Sequence, residues 1–137
     1  AFDAGARCVT HLFNAMSQLN NREPGLVGAA FVRDDVHASM IADGIHVHPA
    51  AIKTAIDAKG HNIFLISDSM STAGSSIGGF ELNGRWVDRD NGRLTLEDGT
   101  LAGADLDLTR AINVIQQDAG ETASMAITRA TRTPTEL

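Results

Sequence analysis

Three short strand-like segments place the strongest constraint on how this chain folds. They are residues 7–10, 38–42 and 62–67, and the last, NIFLIS, is almost continuously apolar. A strand with so few polar residues is buried on both faces, as in a parallel sheet. Residues 49–60 have apolar residues at helical spacing, with a proline near the start and a glycine at the end. This alternation of strands and helices predicts an α/β fold with a parallel sheet.

The second half of the chain has a different pattern. Asn83-Gly84 lies between two strand-like runs and predicts a hairpin, while Asn91-Gly92 and Asp98-Gly99 mark two more turns. Helical patterns resume at 106–117 and 121–130. We therefore expect three parts within one domain: strands and helices at 6–69, a β-hairpin region at 78–100, and C-terminal helices at 104–137.

Composition and charge exclude several classes of function. The formal net charge of -6 argues against a nucleic-acid binder, which needs a basic face. One local arginine can still hold the phosphate of a small molecule. Cys8 is the single cysteine, so the chain has no internal disulfide framework. No apolar run is long enough to span a bilayer and the first residues lack a signal peptide, so we expect a cytoplasmic protein with no membrane partner.

The two ends predict that the chain belongs to a longer protein. It has no initiating methionine, and its first residues, AFDAGARCV, are typical of a helix end running into a strand. The last residues, ATRTPTEL, resemble the start of another helix, with Pro134 near its first turn. We therefore expect further strands of the same fold upstream.

Residues able to do chemistry follow each predicted strand. His11 comes after the first, His46 and His48 after the second, and Asp68 directly after the third. In α/β folds the loops at the C-terminal ends of the strands carry the functional residues. A carboxylate held rigidly after a buried strand, and partly shielded from water, is suited to act as an acid or a base.

Each of these residues also has a structural interpretation. A lone histidine such as His11 is often packed or hydrogen-bonded, and Asp68 could be a helix N-cap or a turn former. His48 is followed by proline and is more simply a solvent-facing residue at a helix N-terminus, which leaves His46 as the better functional candidate. Arg22 lies in an Asn-rich loop and could clamp a phosphate, although such an arginine is usually a solvated surface charge.

Taken together, the motifs resemble one family. The segments THLFNAM, REPGLVG, IADGIHV, SDSMSTAG and GTLAG occur in the order and approximate spacing of the N-acetylglucosamine-6-phosphate deacetylases of the amidohydrolase superfamily. The resemblance covers nearly the whole chain. It implies the later part of a (β/α)8 TIM-type barrel, with a β-hairpin insertion after the last barrel strand. It also implies hydrolysis of the acetamide of N-acetylglucosamine 6-phosphate, a phosphorylated amino sugar, to glucosamine 6-phosphate and acetate.

The resemblance assigns a role to each matching residue. Asp68 corresponds to the catalytic aspartate and His11 to a ligand of a divalent metal, with zinc expected and iron or another ion also suited to such ligands. Arg22 corresponds to an arginine that holds the sugar phosphate in the neighbouring subunit's site, which implies a homodimer. The implied substrate-contacting residues are Asn14, Ala15, Arg22, Asp43, His46, Leu101, Ala102 and Gly103.

Some departures from the family pattern leave alternatives open. Ser-Met-Ser-Thr-Ala-Gly follows Asp68, and Ala104 stands where the family usually has serine. The family's other two metal ligands, a glutamate and a histidine, lie upstream of its THLFNAM motif, and the ten residues before His11 contain neither. We therefore expect the 137 residues alone to be inactive. The alternatives are a non-catalytic barrel fragment with an incomplete metal site, or another amidohydrolase of the dihydroorotase-like or deaminase kind.

Overall fold

A computed structural model describes all residues, 1–137, and shows two sheets, with α-helices packed on the first of them. The first sheet has three parallel strands in the order β1-β2-β3, with α1 between the first two and α2 between the last two. The bounds are β1 Cys8–Val9, α1 Gly25–Phe31, β2 His37–Met40, α2 Pro49–Lys59 and β3 Ile63–Leu65. Short 3-10 helices lie at Phe2–Ala4, Gly60–Asn62 and Thr133–Glu136.

Strands β2 and β3 of the parallel sheet are largely buried, as the apolar segment 62–67 predicts, whereas Cys8 of β1 is exposed. Ala38 of β2 pairs with Ile63 of β3, and Met40 pairs with Leu65. All three residues of β3 are buried. Strands of this composition exclude water from both sides, so the polar residues that follow them are held at one edge of a rigid sheet.

Helix α2 begins and ends where the sequence predicts. His48 is its N-cap and accepts the amide N–H of Ala50 on its side chain, in agreement with the structural interpretation of that histidine. Pro49 occupies the first turn, where its missing N–H costs nothing. The apolar residues at helical spacing, including Ile52 and Ile56, are buried against the sheet.

The second sheet contains the hairpin expected at Asn83-Gly84 and extends it to four strands. It is a four-stranded antiparallel meander of β4 Gly79–Leu82, β5 Arg85–Asp90, β6 Arg93–Leu96 and β7 Leu101–Ala104. All three predicted turns reverse the chain, so the region holds four strands rather than two. Strand β7 contains Leu101, Ala102 and Gly103, which were expected in a loop. Small residues and glycine have a low preference for strands, so the sequence does not predict a strand there.

Two helices complete the fold. Asp107 caps α3 Leu108–Ala119, and Thr122 caps α4 Ala123–Ala130. Their buried faces join one apolar core with the parallel sheet, through residues that include Ala111, Ile115 and Ala126. None of the helices combines the length and apolar character needed to cross a membrane.

Candidate active-site cleft

A cleft of about 340 Å³ lies at the C-terminal ends of the three parallel strands. His11 follows β1, Ile41 follows β2 and Asp68 follows β3, so each strand delivers a side chain to the same opening. This is the end of a parallel sheet at which α/β proteins bind ligands. The full lining is His11, Asn14, Ala15, Ile41, His46, Asp68, Thr100, Leu101 and Gly103.

His11 is fixed by bonds to the neighbouring strand and to its own loop. Its amide N–H donates to Ser39 Oγ (2.8 Å), and the amide of Leu12 donates to the Ser39 carbonyl (2.8 Å). The His11 ring Nδ1 lies 2.9 Å from the Asn14 carbonyl oxygen. Because a carbonyl only accepts, Nδ1 carries a hydrogen, and in the neutral ring Nε2 keeps its lone pair. This is the arrangement by which a metal-binding histidine is oriented.

Asp68 is held by the edge of the second sheet. The amide of Ala104 in β7 donates to the Asp68 carbonyl (2.9 Å), and Ser69 forms a parallel bridge with Ala104. Gly103 permits this approach, because a Cβ at that position would lie 2.5 Å from Met70 Cγ and 3.2 Å from the Asp68 carbonyl oxygen. Asp68 itself is exposed, whereas the sequence predicted partial shielding. The sequence shows the buried strand but not how open the cleft beyond it is.

Backbone strain concentrates around the cleft. Six non-glycine residues have positive φ, and two of them are asparagines in the meander's turns, where that conformation is ordinary. Of the remaining four, His11, Ala15 and Asp68 line the cleft. Such conformations cost of order 1 kcal/mol each and gather where function fixes a side chain's direction.

Asp43 is buried and hydrogen-bonded to both the backbone and the ring of His46. Asp43 Oδ1 accepts the amides of Ile45 and His46 (both 2.8 Å), and Oδ2 lies 2.6 Å from His46 Nδ1. Burial alone would raise the pKa of Asp43, but the hydrogen bonds from the His46 ring and the two amides together hold that pKa below its usual value. Asp43 is therefore a buried carboxylate, fully engaged within the protein.

The structure brings together most of the predicted site residues but not all of them. His11, Asn14, Ala15, His46, Asp68, Leu101 and Gly103 line the cleft. Asp43 lies below it, and Ala102 and Arg22 are not part of its lining. Arg22 is exposed in the loop between β1 and α1.

Two lining residues, Ile41 and Thr100, were not predicted. Thr100 is the second residue of the GTLAG segment, and its position in that motif is the sequence feature that could have indicated a place in the cleft. Its amide donates to Asp98 Oδ1 (2.9 Å), and bonds from Thr100 and Arg85 lower the pKa of the Asp98 carboxyl to about 2. Ile41 directly follows β2, but an apolar residue there carries no chemical signature.

Comparison with known proteins assigns the family. No protein-family profile matches the chain. An N-acetylgalactosamine-6-phosphate deacetylase from a Shewanella species is 41% identical over the whole chain, and N-acetylglucosamine-6-phosphate deacetylase from Bacillus subtilis is 47% identical over 76% of it. A putative N-acetylgalactosamine-6-phosphate deacetylase from Escherichia coli is 35% identical, and the match covers 93% of this chain and 76% of that protein. The chain belongs to the N-acetylglucosamine/galactosamine-6-phosphate deacetylase family.

Solved structures of these deacetylases share the fold. That of the Pasteurella multocida N-acetylglucosamine-6-phosphate deacetylase superposes with a TM-score of 0.94 at 29% identity, covering 98% of this chain. A Mycobacterium smegmatis variant in complex with N-acetyl-D-glucosamine 6-phosphate gives 0.91 at 30% identity. The chain spans 36% and 37% of those two proteins, and 35% and 26% of the Shewanella and Bacillus deacetylases.

A deacetylase of this kind implies a divalent metal, and these residues fit only part of such a site. No three His, Cys, Asp or Glu side chains come close enough together to hold an ion. His11 has a ligand's chemistry, since its Nε2 lone pair is free while Nδ1 is occupied. Asp68 shares the cleft with it. The chain by itself therefore provides one well-oriented donor and not a complete metal centre.

Proposed function

We propose that the complete enzyme removes the acetyl group from N-acetylglucosamine 6-phosphate, releasing acetate and glucosamine 6-phosphate. The observation that carries the proposal is the convergence of Asp68, His11 and His46 on one cleft in a chain of the deacetylase family. Asp68 has a carboxylate for proton transfer, and His46 has a ring nitrogen for the substrate. We place this chain in the later part of a TIM-type barrel, because the cleft opens at the C-terminal strand ends.

Asp68 moves the proton in this reaction. It accepts a proton from the water that attacks the acetamide carbonyl and then donates it to the leaving amine of the sugar. One carboxylate can do both because the second transfer restores its starting state. His11 would be one ligand of a divalent ion, with zinc expected and iron an alternative, and such an ion, when bound, would supply Lewis acidity and lower the pKa of water.

The phosphate of the substrate is assigned to Arg22. A planar guanidinium suits a phosphate, and an exposed arginine outside its own cleft is free to reach another subunit. We therefore propose that the complete enzyme is a homodimer in which Arg22 of each subunit binds the substrate phosphate in the neighbouring subunit's cleft. The negative net charge argues against a nucleic-acid partner, and the cleft has the size of a small-molecule site. The single cysteine, Cys8, is consistent with the proposed location in the reducing cytoplasm.

Replacing the proton carrier tests the proposal. In the complete enzyme, Asp68→Asn should lower kcat by at least about 100-fold, because asparagine cannot accept the proton. Asparagine also tolerates positive φ, so the melting temperature should not change. Asp118→Asn, at an exposed position in α3, is the matched control and should keep full activity. Turnover near normal in Asp68→Asn would refute the assignment of Asp68.

N-acetylgalactosamine 6-phosphate is a second candidate substrate, because the Shewanella and Escherichia coli relatives are named for it. The two sugar phosphates differ only in the configuration at C4. Acetate release from both, measured as kcat/KM, decides between them. A higher kcat/KM for the galacto sugar would reassign the substrate and leave the role of Asp68 unchanged.

A further inference from the structure

Asp43 and His46 form a buried pair, and His46 lines the cleft. Their side chains are only 2% and 8% exposed, and the Asp43 Oδ2 to His46 Nδ1 distance is 2.6 Å. Asp43 is absent from the cleft lining, whereas His46 contributes to it. The His46 ring therefore connects Asp43 directly to the cleft.

We propose that Asp43 is a positioning residue for the deacetylation: it holds the proton of the His46 ring on Nδ1, so that Nε2 is the atom His46 presents to the sugar. A carboxylate has no hydrogen to donate, so the nitrogen facing it must be the protonated one. The assignment rests on the proposed function and adds to it a residue that never touches the substrate.

The bonds at Asp43 make this orientation rigid. Its Oδ1 accepts the amides of Ile45 and His46, so the same carboxylate fixes both the backbone and the ring of His46. Gly44, at φ 76, makes the tight turn that brings those amides back to the carboxylate. The ring has little freedom to turn over, because its Nδ1 partner and its backbone are set by one side chain.

The variant Asp43→Asn distinguishes two roles of Asp43: orienting the His46 ring, and holding the backbone of the loop that carries it. The asparagine carbonyl can still accept the two backbone amides, so the loop should be retained. Its NH₂ group would face Nδ1, which in the neutral ring must then be the unprotonated nitrogen, and the hydrogen moves to Nε2. The variant therefore inverts the ring's donor and acceptor while leaving the surrounding contacts nearly unchanged.

The test combines nitrogen NMR of histidine-labelled full-length enzyme with kinetics on N-acetylglucosamine 6-phosphate. In the wild type, the His46 Nδ1 resonance should be that of a protonated nitrogen, and Asp43→Asn should transfer that pattern to Nε2. We expect KM to rise at least about tenfold with a much smaller change in kcat and an unchanged melting temperature. His48→Asn, in the same segment but at a helix N-cap, should alter none of these.

A double-mutant cycle tests whether Asp43 acts through the ring. In a His46→Gln background, adding Asp43→Asn should cost less than about twofold in kcat/KM, because the ring it orients is gone. Fully additive losses would overturn the proposal, as would an Asp43→Asn enzyme that keeps the wild-type nitrogen pattern or the wild-type KM. If the wild type released no acetate from either sugar phosphate, the proposed function would fail, and the nitrogen pattern would still decide whether Asp43 orients His46.

Discussion

At the scale of single residues, the site depends on backbone conformations that side chains normally avoid. His11, Ala15 and Asp68 all adopt positive φ where the chain leaves a strand or turns within the following loop. The sequence indicates which residue types follow the strands, so His11, His46 and Asp68 could be predicted. It does not show which polar atoms are already engaged, so the bonds of Asp43 to Ile45 and His46 become visible only in the structure.

Gly103 offers a test of how closely β7 must approach Asp68. Gly103→Ala would place a Cβ 2.5 Å from Met70 Cγ, at φ 85. The clash should displace β7 from Asp68, lowering stability by about 2 kcal/mol and kcat by at least about tenfold. Gly99→Ala is a matched control: its φ of 82 is equally unfavourable, but nothing lies within 4 Å of the added carbon.

The two variants separate backbone strain from packing. Gly99→Ala should lose only about 1 kcal/mol and keep its kcat, because its cost comes from φ alone. Urea denaturation gives the two stabilities, and acetate release by the complete enzyme gives the two rates. Equal effects of the two substitutions would mean that the approach of β7 does not position Asp68.

At the scale of elements, the sequence predicts helices and strands that have a periodic apolar pattern, but not those that depend on contacts between residues distant in the chain. Helix α2 and the apolar strand β3 follow from spacing and composition, and both occur close to where they were expected. The hairpin of β4 and β5 occurs where Asn83-Gly84 predicts it, but its extension through β6 to β7 was not expected, because β7 lacks the alternation that marks a half-buried strand. Its pairing with Thr95, together with the bridge from Ala104 to Ser69, depends on tertiary contact that local pattern cannot encode.

Arg129 is another element-scale feature that the sequence does not reveal. This buried arginine of α4 donates to the carbonyls of Gly60 (2.6 Å) and Ile63 (3.0 Å), more than sixty residues away in sequence. It also forms an ion pair with Glu121 (3.1 Å). It thus connects the last helix to the start of β3, the strand that leads to Asp68.

Removing this connection should destabilise the fold. Arg129→Met keeps much of the side chain's volume but leaves two carbonyls and the Glu121 carboxylate without their partner, so we expect a loss of about 3–5 kcal/mol in urea denaturation. Arg132→Met breaks the exposed pair with Glu136 and should cost less than about 1 kcal/mol. A loss at Arg129 no greater than that at Arg132 would show that the buried bonds contribute little.

At the scale of the whole molecule, the parallel sheet has an open side. Strand β1 pairs only with β2, and an apolar groove of about 330 Å³ lies beside it, lined by residues that include Phe2, Val9, Met16 and Leu26. An uncovered strand edge with apolar side chains nearby is a template for pairing with another chain. The groove meets the cleft at His11 and Ala15, so whatever covers this side in the complete enzyme also borders the site.

The 137 residues alone are therefore expected to associate through β1, to bind no stoichiometric metal and to release no acetate from the sugar phosphate. One oriented donor, His11, is too few for a zinc site, which normally uses three protein ligands. Sedimentation, elemental analysis and an acetate assay on the purified chain measure the three outcomes. Cys8→Lys puts a charge on the exposed edge residue and should reduce association, whereas Cys8→Ser should not, which separates edge pairing from disulfide formation. One tightly bound zinc per chain with turnover would show instead that the ligands are complete within these residues.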